Sequence, residues 1–278
     1  MTQTRCWLTV LTALGGLHVG IAAAADATPP SEPIPNHPAL RDPFTFVLGA
    51  YSPKTTTTAL LTPAGGGSGV GVNFEDTLGL DDRNLVGFGG FRWRFTERWR
   101  MEAEYFTLSR DATRTLAADV TWGDQTFSKG TTLDSTFDFS DLRLGAGYSF
   151  FKTRDKELGL GFGAHVAKMK AAVDAAGVGG EGADVLAPLP VVNLYGLFAL
   201  TNEWAVSMRA DWLSLSYGAY TGDIRNTALD VLYQPFRHVG FGFGARSLNI
   251  DVSIDNTNWH GSAKMVFQGP IAFMTASF

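Results

Sequence analysis

Between Phe88 and Phe106 the chain reads FGGFRWRFTERWRMEAEYF, and outside the TER turn at 96–98 five of these residues have the types for chemistry: Arg92, Arg94, Arg100, Glu102 and Glu104. All five stand at even positions. In extended chain, positions two apart share one face of a pleat, so three guanidiniums and two carboxylates line one side of a hairpin turned at Thr96–Arg98. The odd side carries Phe91, Trp93, Phe95, Trp99, Met101, Ala103 and Tyr105. A charged row of this kind can pair off as a structural plug or gate a narrow path for ions or solutes.

The same division recurs downstream. Asp141, Arg143, His165, Arg209, Asp211, Asp230 and Arg246 share a parity with glycine while the intervening residues are apolar. With His165 neutral, the twelve residues make six positive and five negative charges, close enough to balance that mutual neutralisation is expected. Strand pairing sets His165 opposite Arg143, and a neighbouring guanidinium disfavours the protonated imidazole, so a hydrogen-bonding role is expected rather than catalysis. Asp81, Asp82, Asp255 and His260 fall in expected outer loops and have the types for a water-activating carboxylate–His pair, but no spacing fixes their geometry. The GGGSG run at 65–69 lacks the Lys-Ser/Thr and following helix of a phosphate-binding loop. No catalytic set, metal site or cofactor is expected.

These side chains need strands to position them. Four short polar turns, TER at 96–98, KTRDKE at 152–157, TNE at 201–203 and QPFRH at 234–238, lie between alternating segments. Longer Gly/Thr/Asp/Asn-rich connections fill 53–83, 111–133, 172–187, 218–225 and 255–261. Short turns alternating with long loops predict an all-β, up-and-down antiparallel transmembrane barrel. The strands are expected at 44–52, 84–95, 99–110, 134–151, 158–170, 188–200, 204–217, 226–235, 238–253 and 262–278. That makes ten, with eight or twelve left open by the segment 111–133.

Pairing them tests the division of faces. The first hairpin places Trp93 by Met101 and Arg92 by Glu102. The second, closed with Phe150 opposite Leu158, brings Tyr148 to Leu160, Ala146 to Phe162 and Arg143 to His165. The third joins Val192 to Trp212, Tyr195 to Arg209 and Asn193 to Asp211. The fourth sets Tyr233 against Val239, Leu229 against Phe243 and Asp230 against Gly242. One face is apolar and aromatic throughout; the other is glycine or charge. A soluble sandwich has no use for glycine on a wet strand face, whereas in a narrow lumen it makes room for long side chains. After Ala245 the apolar parity switches to Leu248, Ile250 and Val252, which predicts a bulge near Arg246 and Ser247. Phe44, Phe95, Trp99, Phe150, Phe151, Trp204, Phe236 and Phe278 collect near the turns, as an interfacial girdle would.

The bulk properties fit an exported protein. Residues 1–25 combine Arg5, an apolar run and small-residue cleavage sites after Ala25 or Ala27, and read as a signal peptide. The only cysteine, Cys6, lies at the start of that apolar run rather than its end, which disfavours a lipid anchor. Residues 26–43 form a Pro-rich leader expected to be extended, and 44–278 the barrel. A spread net charge of −5 offers no basic patch for nucleic acid.

The terminal KMVFQGPIAFMTASF, with Phe278 preceded by Ala276, Met274 and Ala272 on its parity, resembles the closing signature of bacterial outer-membrane barrels. FEDTLGLDDRN followed by FRWRFTERWRMEAEYFTLSR resembles proteobacterial barrels of the small OmpA/OmpW-like type. The resemblance implies Sec export, Phe278 as an assembly signal read by the barrel-assembly machinery, and residence in the Gram-negative outer membrane. Its partners would then be outer-membrane lipid and lipopolysaccharide, with the barrel a monomer. The expected role is structural or surface-presenting. A narrow porin-like channel and an outer-membrane hydrolase are the alternatives.

Overall fold

The computed structural model describes residues 34–62, 71–122, 125–218, 220–256 and 259–278. The expected signal peptide, the first part of the leader and the GGGSG run lie outside them. A four-residue helix, α1 (Pro38–Arg41), precedes β1 (Phe44–Tyr51), β2 (Lys54–Thr62) and β3 (Val72–Asn73). A π-helical turn at Phe74–Leu78 leads to β4 (Val86–Arg94) and β5 (Trp99–Thr115). There follow β6 (Val120–Trp122), β7 (Gln125–Phe127), β8 (Thr132–Lys152), β9 (Lys156–Ala175) and β10 (Gly179–Ala199). The last are β11 (Trp204–Tyr217), β12 (Tyr220–Tyr233), β13 (Val239–Asn256) and β14 (Trp259–Ser277).

Ten antiparallel staves close a barrel. β1 and β2 form one stave, because Tyr51 pairs with Ile271 and Lys54 with Gln268 in a single register along β14. Closure is completed by mutual backbone bonds of 3.0 Å between Phe44 and Phe278. The first hairpin has Trp93 opposite Met101 and Arg92 opposite Glu102, as expected from the sequence. In the second, Arg143 does face His165, but Phe151 rather than Phe150 pairs with Leu158, across a bulge after Tyr148. The bulge turns the Ser149 hydroxyl inward to Glu157 and leaves both Phe150 and Phe151 on the outside. The fourth hairpin is shifted by two residues: Tyr233 pairs with Phe241 and Asp230 with Gly244. Val239 and Gly240 pair with β14 alone, because the connection must fit the buried Gln234 against Gly240.

The expected bulge at Arg246–Ser247 is absent. β13 keeps one register with both neighbours through these residues, so Leu248 and Ile250 point inward like Arg246 and are buried. The change of apolar parity marks a change in what lies inside and outside. Along β8 the inward residues run Leu133, Ser135, Phe137, Phe139, Asp141, Arg143, Gly145, Gly147, while the outward ones run Asp134, Thr136, Asp138, Ser140, Leu142, Leu144, Ala146, Tyr148. Near the turns the barrel is apolar outside and ionic inside; near the loops it has the pattern of a soluble protein. β5 switches at Phe106–Thr107 and β9 at Ala167–Lys168. The segments expected as loops at 172–187, 218–225 and 255–261 are therefore largely strand, their alternation being that of a wet barrel wall. The segment 111–133 does hold two extra strands, β6 and β7, as a separate hairpin that is not part of the wall and whose Trp122 and Phe127 are buried in the core.

Both ends are covered. At the turn end, the leader is not wholly extended: Pro38 at the first helical position suits a helix start, and His37 caps it by accepting from the Ala39 N–H at 3.1 Å. Ala39 and Leu40 pack on Leu197, Ala199 and Leu232 inside the mouth. At the loop end, Phe74, Trp122 and Phe127 enter a core with Phe137, Phe139 and Phe267; Phe139 and Phe267 stack at 4.6 Å. One ladder is incomplete. Among the described residues β10 and β11 pair only from Ala199–Ala205 to Val192–Trp212, though both strands continue.

Candidate functional site: the charged lumen

The turn-side half of the lumen is filled by charge, and the strands deliver it as cross-strand sets. Lowest is Glu157, whose side chain is fully buried. Arg94 grips it with a two-pronged pair of 2.8 Å contacts, Ser149 donates its hydroxyl to it, and Arg100 stands 3.8 Å away. The Arg100 guanidinium lies 3.3 Å over the Tyr195 ring, and the Tyr195 hydroxyl meets Ser149 at 3.1 Å. That ring lies flat against the wall over Gly147 and Gly159. A Cβ at Gly159 would sit 2.1 Å from it.

Above this level Glu102 receives Arg92 at 3.0 Å, Arg100 at 3.2 Å and Arg143 at 3.2 Å. Arg143 crosses the lumen to grip Asp211 with contacts of 2.7 and 2.9 Å, and Asn226 donates to the same carboxylate at 3.0 Å. Glu104 receives Arg209 at 3.1 Å and Arg246, which also approaches Asp230 at 3.6 Å. His165 places Nδ1 2.8 Å from Asp141 and Nε2 3.5 Å from Asp211. The expected influence of Arg143 on His165 is thus misplaced. The two residues are backbone partners, but the guanidinium reaches away to Asp211 and Glu102, and carboxylates flank the ring instead.

The structure brings all twelve expected lumen residues into one connected region. Sequence reasoning missed Glu157, Ser149 and Asn226; strand pairing had already set Tyr195 and Asn193 on the charged face, opposite Arg209 and Asp211. Glu157 was read as part of the turn 152–157; counting back from Gly159 and Gly161 on its own parity would have placed it inward. With it, the inventory becomes six arginines (92, 94, 100, 143, 209, 246) against six carboxylates (102, 104, 141, 157, 211, 230). A cavity of about 80 Å³ lies among Arg92, Glu102, Arg209, Asp230 and Arg246, with Ala39 of the cap on its wall.

A second buried pair lies in the apolar half. Arg110 contacts Glu75 at 2.6 Å, Thr57 at 2.8 Å and the Asp81 carbonyl at 3.1 Å, which ties the 71–83 loop into the barrel. No sequence pattern marks this pair, since Glu75 sits in a loop whose inward fold depends on Arg110. Of the residues considered for a carboxylate–His pair, Asp82 is 3.7 Å from Lys54. Asp255 and His260 are backbone partners at the end of the β13–β14 hairpin, with side chains outside the described set.

No protein-family model and no curated protein sequence matches the chain. Solved structures do. The outer membrane protease OmpT from Escherichia coli matches with a TM-score of 0.57 at 9% identity, over 84% of this chain and 96% of that one. The attachment invasion locus protein Ail of Yersinia pestis matches with a TM-score of 0.37 at 8% identity, over 83% and 97%. The Pseudomonas putida toluene transporter TodX gives 0.34 at 10%, over 88% and 93%. The likeness to OmpT is one of fold: this chain is a closed all-β barrel of the outer-membrane type.

Proposed function

We propose that this chain is an integral outer-membrane barrel, closed to flow and without catalytic activity, that serves the envelope as a rigid wall element and presents its loop end outside. Membrane residence is supported by the outward band of Phe46, Leu48, Trp93, Phe162, Leu229 and Phe243, all exposed on a wall whose interior is ionic at the same height. Water would penalise such a band; lipid matches it. In this reading the turns lie in the periplasm, Phe278 is the end read by the assembly machinery, and one barrel acts alone.

One observation carries the closed state: the lumen is blocked at successive levels by α1, by the paired charges and by the aromatic core around Phe139 and Phe267. The arginines and carboxylates contact one another, so they are poorly placed to receive a substrate. Conductance across planar bilayers tests the reading. Silence is the expected result. Steady unitary currents that change on Arg92→Ala or Glu102→Ala would establish the channel alternative.

A further inference from the structure

We propose that the gap between β10 and β11 is a lateral binding site for one acyl chain of a phosphate-bearing membrane lipid. The site follows from a local sequence cause. The Ala199 N–H bonds toward β9, to the Asp155 carbonyl, and the Leu200 N–H bonds toward β11, to the Trp204 carbonyl. Even-numbered residues of β10 therefore direct their N–H groups to β11. Pro188 and Pro190 are even-numbered, and proline has no N–H to give. Their pairing with Val166 and Ala164 on β9 is intact, while the β11 ladder ends at Val192–Trp212.

The gap opens a cavity of about 430 Å³, within the roughly 300–1,000 Å³ typical of small-molecule sites. It is lined by outward residues, Leu186 and Pro188, and by inward ones, Leu189, Leu213 and Ile224, so it passes through the wall to the apolar core. Leu186 and Leu215 are 63% and 49% exposed there, a cost in water that an aliphatic chain would remove.

Height selects the occupant. Pro188 is level with the outward Val166, and Leu186 with Lys168, so the mouth lies where the wall changes from apolar to charged. Lys168 is exposed and in no ion pair among the described residues, which sets a cation where a headgroup phosphate would lie. An added peptide strand fits less well, since β10 lacks two donors on this edge.

The inference rests on membrane residence, and its test separates the two. Purified protein is reconstituted in vesicles containing phosphatidylglycerol with a diazirine on one acyl chain, irradiated, and its adducts mapped by mass spectrometry. Adducts are expected to be several-fold enriched at Leu186, Leu189, Leu213 and Leu215 over band residues such as Leu144 and Phe162. In Pro188→Val/Pro190→Val, which restores both donors, the enrichment is expected to vanish while band labelling persists. Gly222→Leu, which fills the cavity beside Leu189, is expected to do the same without touching the ladder. Even labelling around the band, or seam labelling unchanged in both variants, would overturn the acyl site and leave membrane residence standing. No labelling anywhere would overturn both.

Discussion

Arg94 and Glu157 show what a buried charge requires here. The Glu157 side chain is fully enclosed, and Arg94 supplies both of its 2.8 Å guanidinium contacts. Removing one member of such a pair leaves an uncompensated charge, at a cost of about 3–5 kcal/mol. Arg94→Met should therefore lower the temperature of the heat-induced mobility shift on gels, and Arg94→Met/Glu157→Gln should recover most of the loss. A second residue-scale prediction concerns Gly159, where a methyl would meet the Tyr195 ring at 2.1 Å. Gly159→Ala should destabilise by roughly 1–3 kcal/mol through overpacking. In a Tyr195→Leu background the same change should cost much less, because the two positions share one space. Urea unfolding followed by tryptophan fluorescence measures both.

Among the elements, α1 is the one whose docking depends on a titrating group outside the membrane span. His37 is buried at the mouth; Nδ1 accepts from Ala39 and Nε2 donates to the Glu203 carbonyl at 3.2 Å. Burial lowers the imidazole pKa below its ordinary value, and protonating Nδ1 would remove the acceptor that caps the helix. A released imidazole takes up a proton at about pH 6.5. The stability His37 contributes is thus present above that pH and is lost as pH falls below it. Amide exchange at Asp42, which donates to the Pro38 carbonyl at 2.8 Å, should lose protection on acidification relative to the barrel ladders. His37→Phe should abolish that pH dependence. If Asp42 protection is as pH-independent in the native chain as in the variant, the cap does not titrate.

For the whole molecule, closure is redundant. Deleting residues 34–42 removes the turn-end cap, yet the ionic and aromatic levels remain, so planar bilayers should stay silent. Phe267 is fully buried in the aromatic core, and Phe267→Ala should cost about 3–5 kcal/mol. That variant should also stay silent, because the paired arginines still fill the lower lumen. Its loss should appear in urea unfolding, while the apolar band, which Phe267 does not touch, should still partition into lipid vesicles.

Alternation and turn spacing were enough to determine the barrel and most of the hairpin registers, because a pleated strand fixes facing two residues at a time; they favoured ten staves, and the tertiary structure excluded eight and twelve. Hydrophobicity and parity also placed eleven charges and His165 on one face. Their partners were not legible: Arg143 meeting Asp211, or Arg246 meeting Glu104, depends on distances across a closed lumen. The same holds for Arg110 with Glu75, and for α1, whose short helix persists only where Leu197 and Leu232 receive it. Above all, Leu248 and Ile250 read as a bulge when they continue an unbroken strand. Parity records which residues share a side, but only closure in three dimensions decides which side faces lipid, water or the protein's own interior at each height.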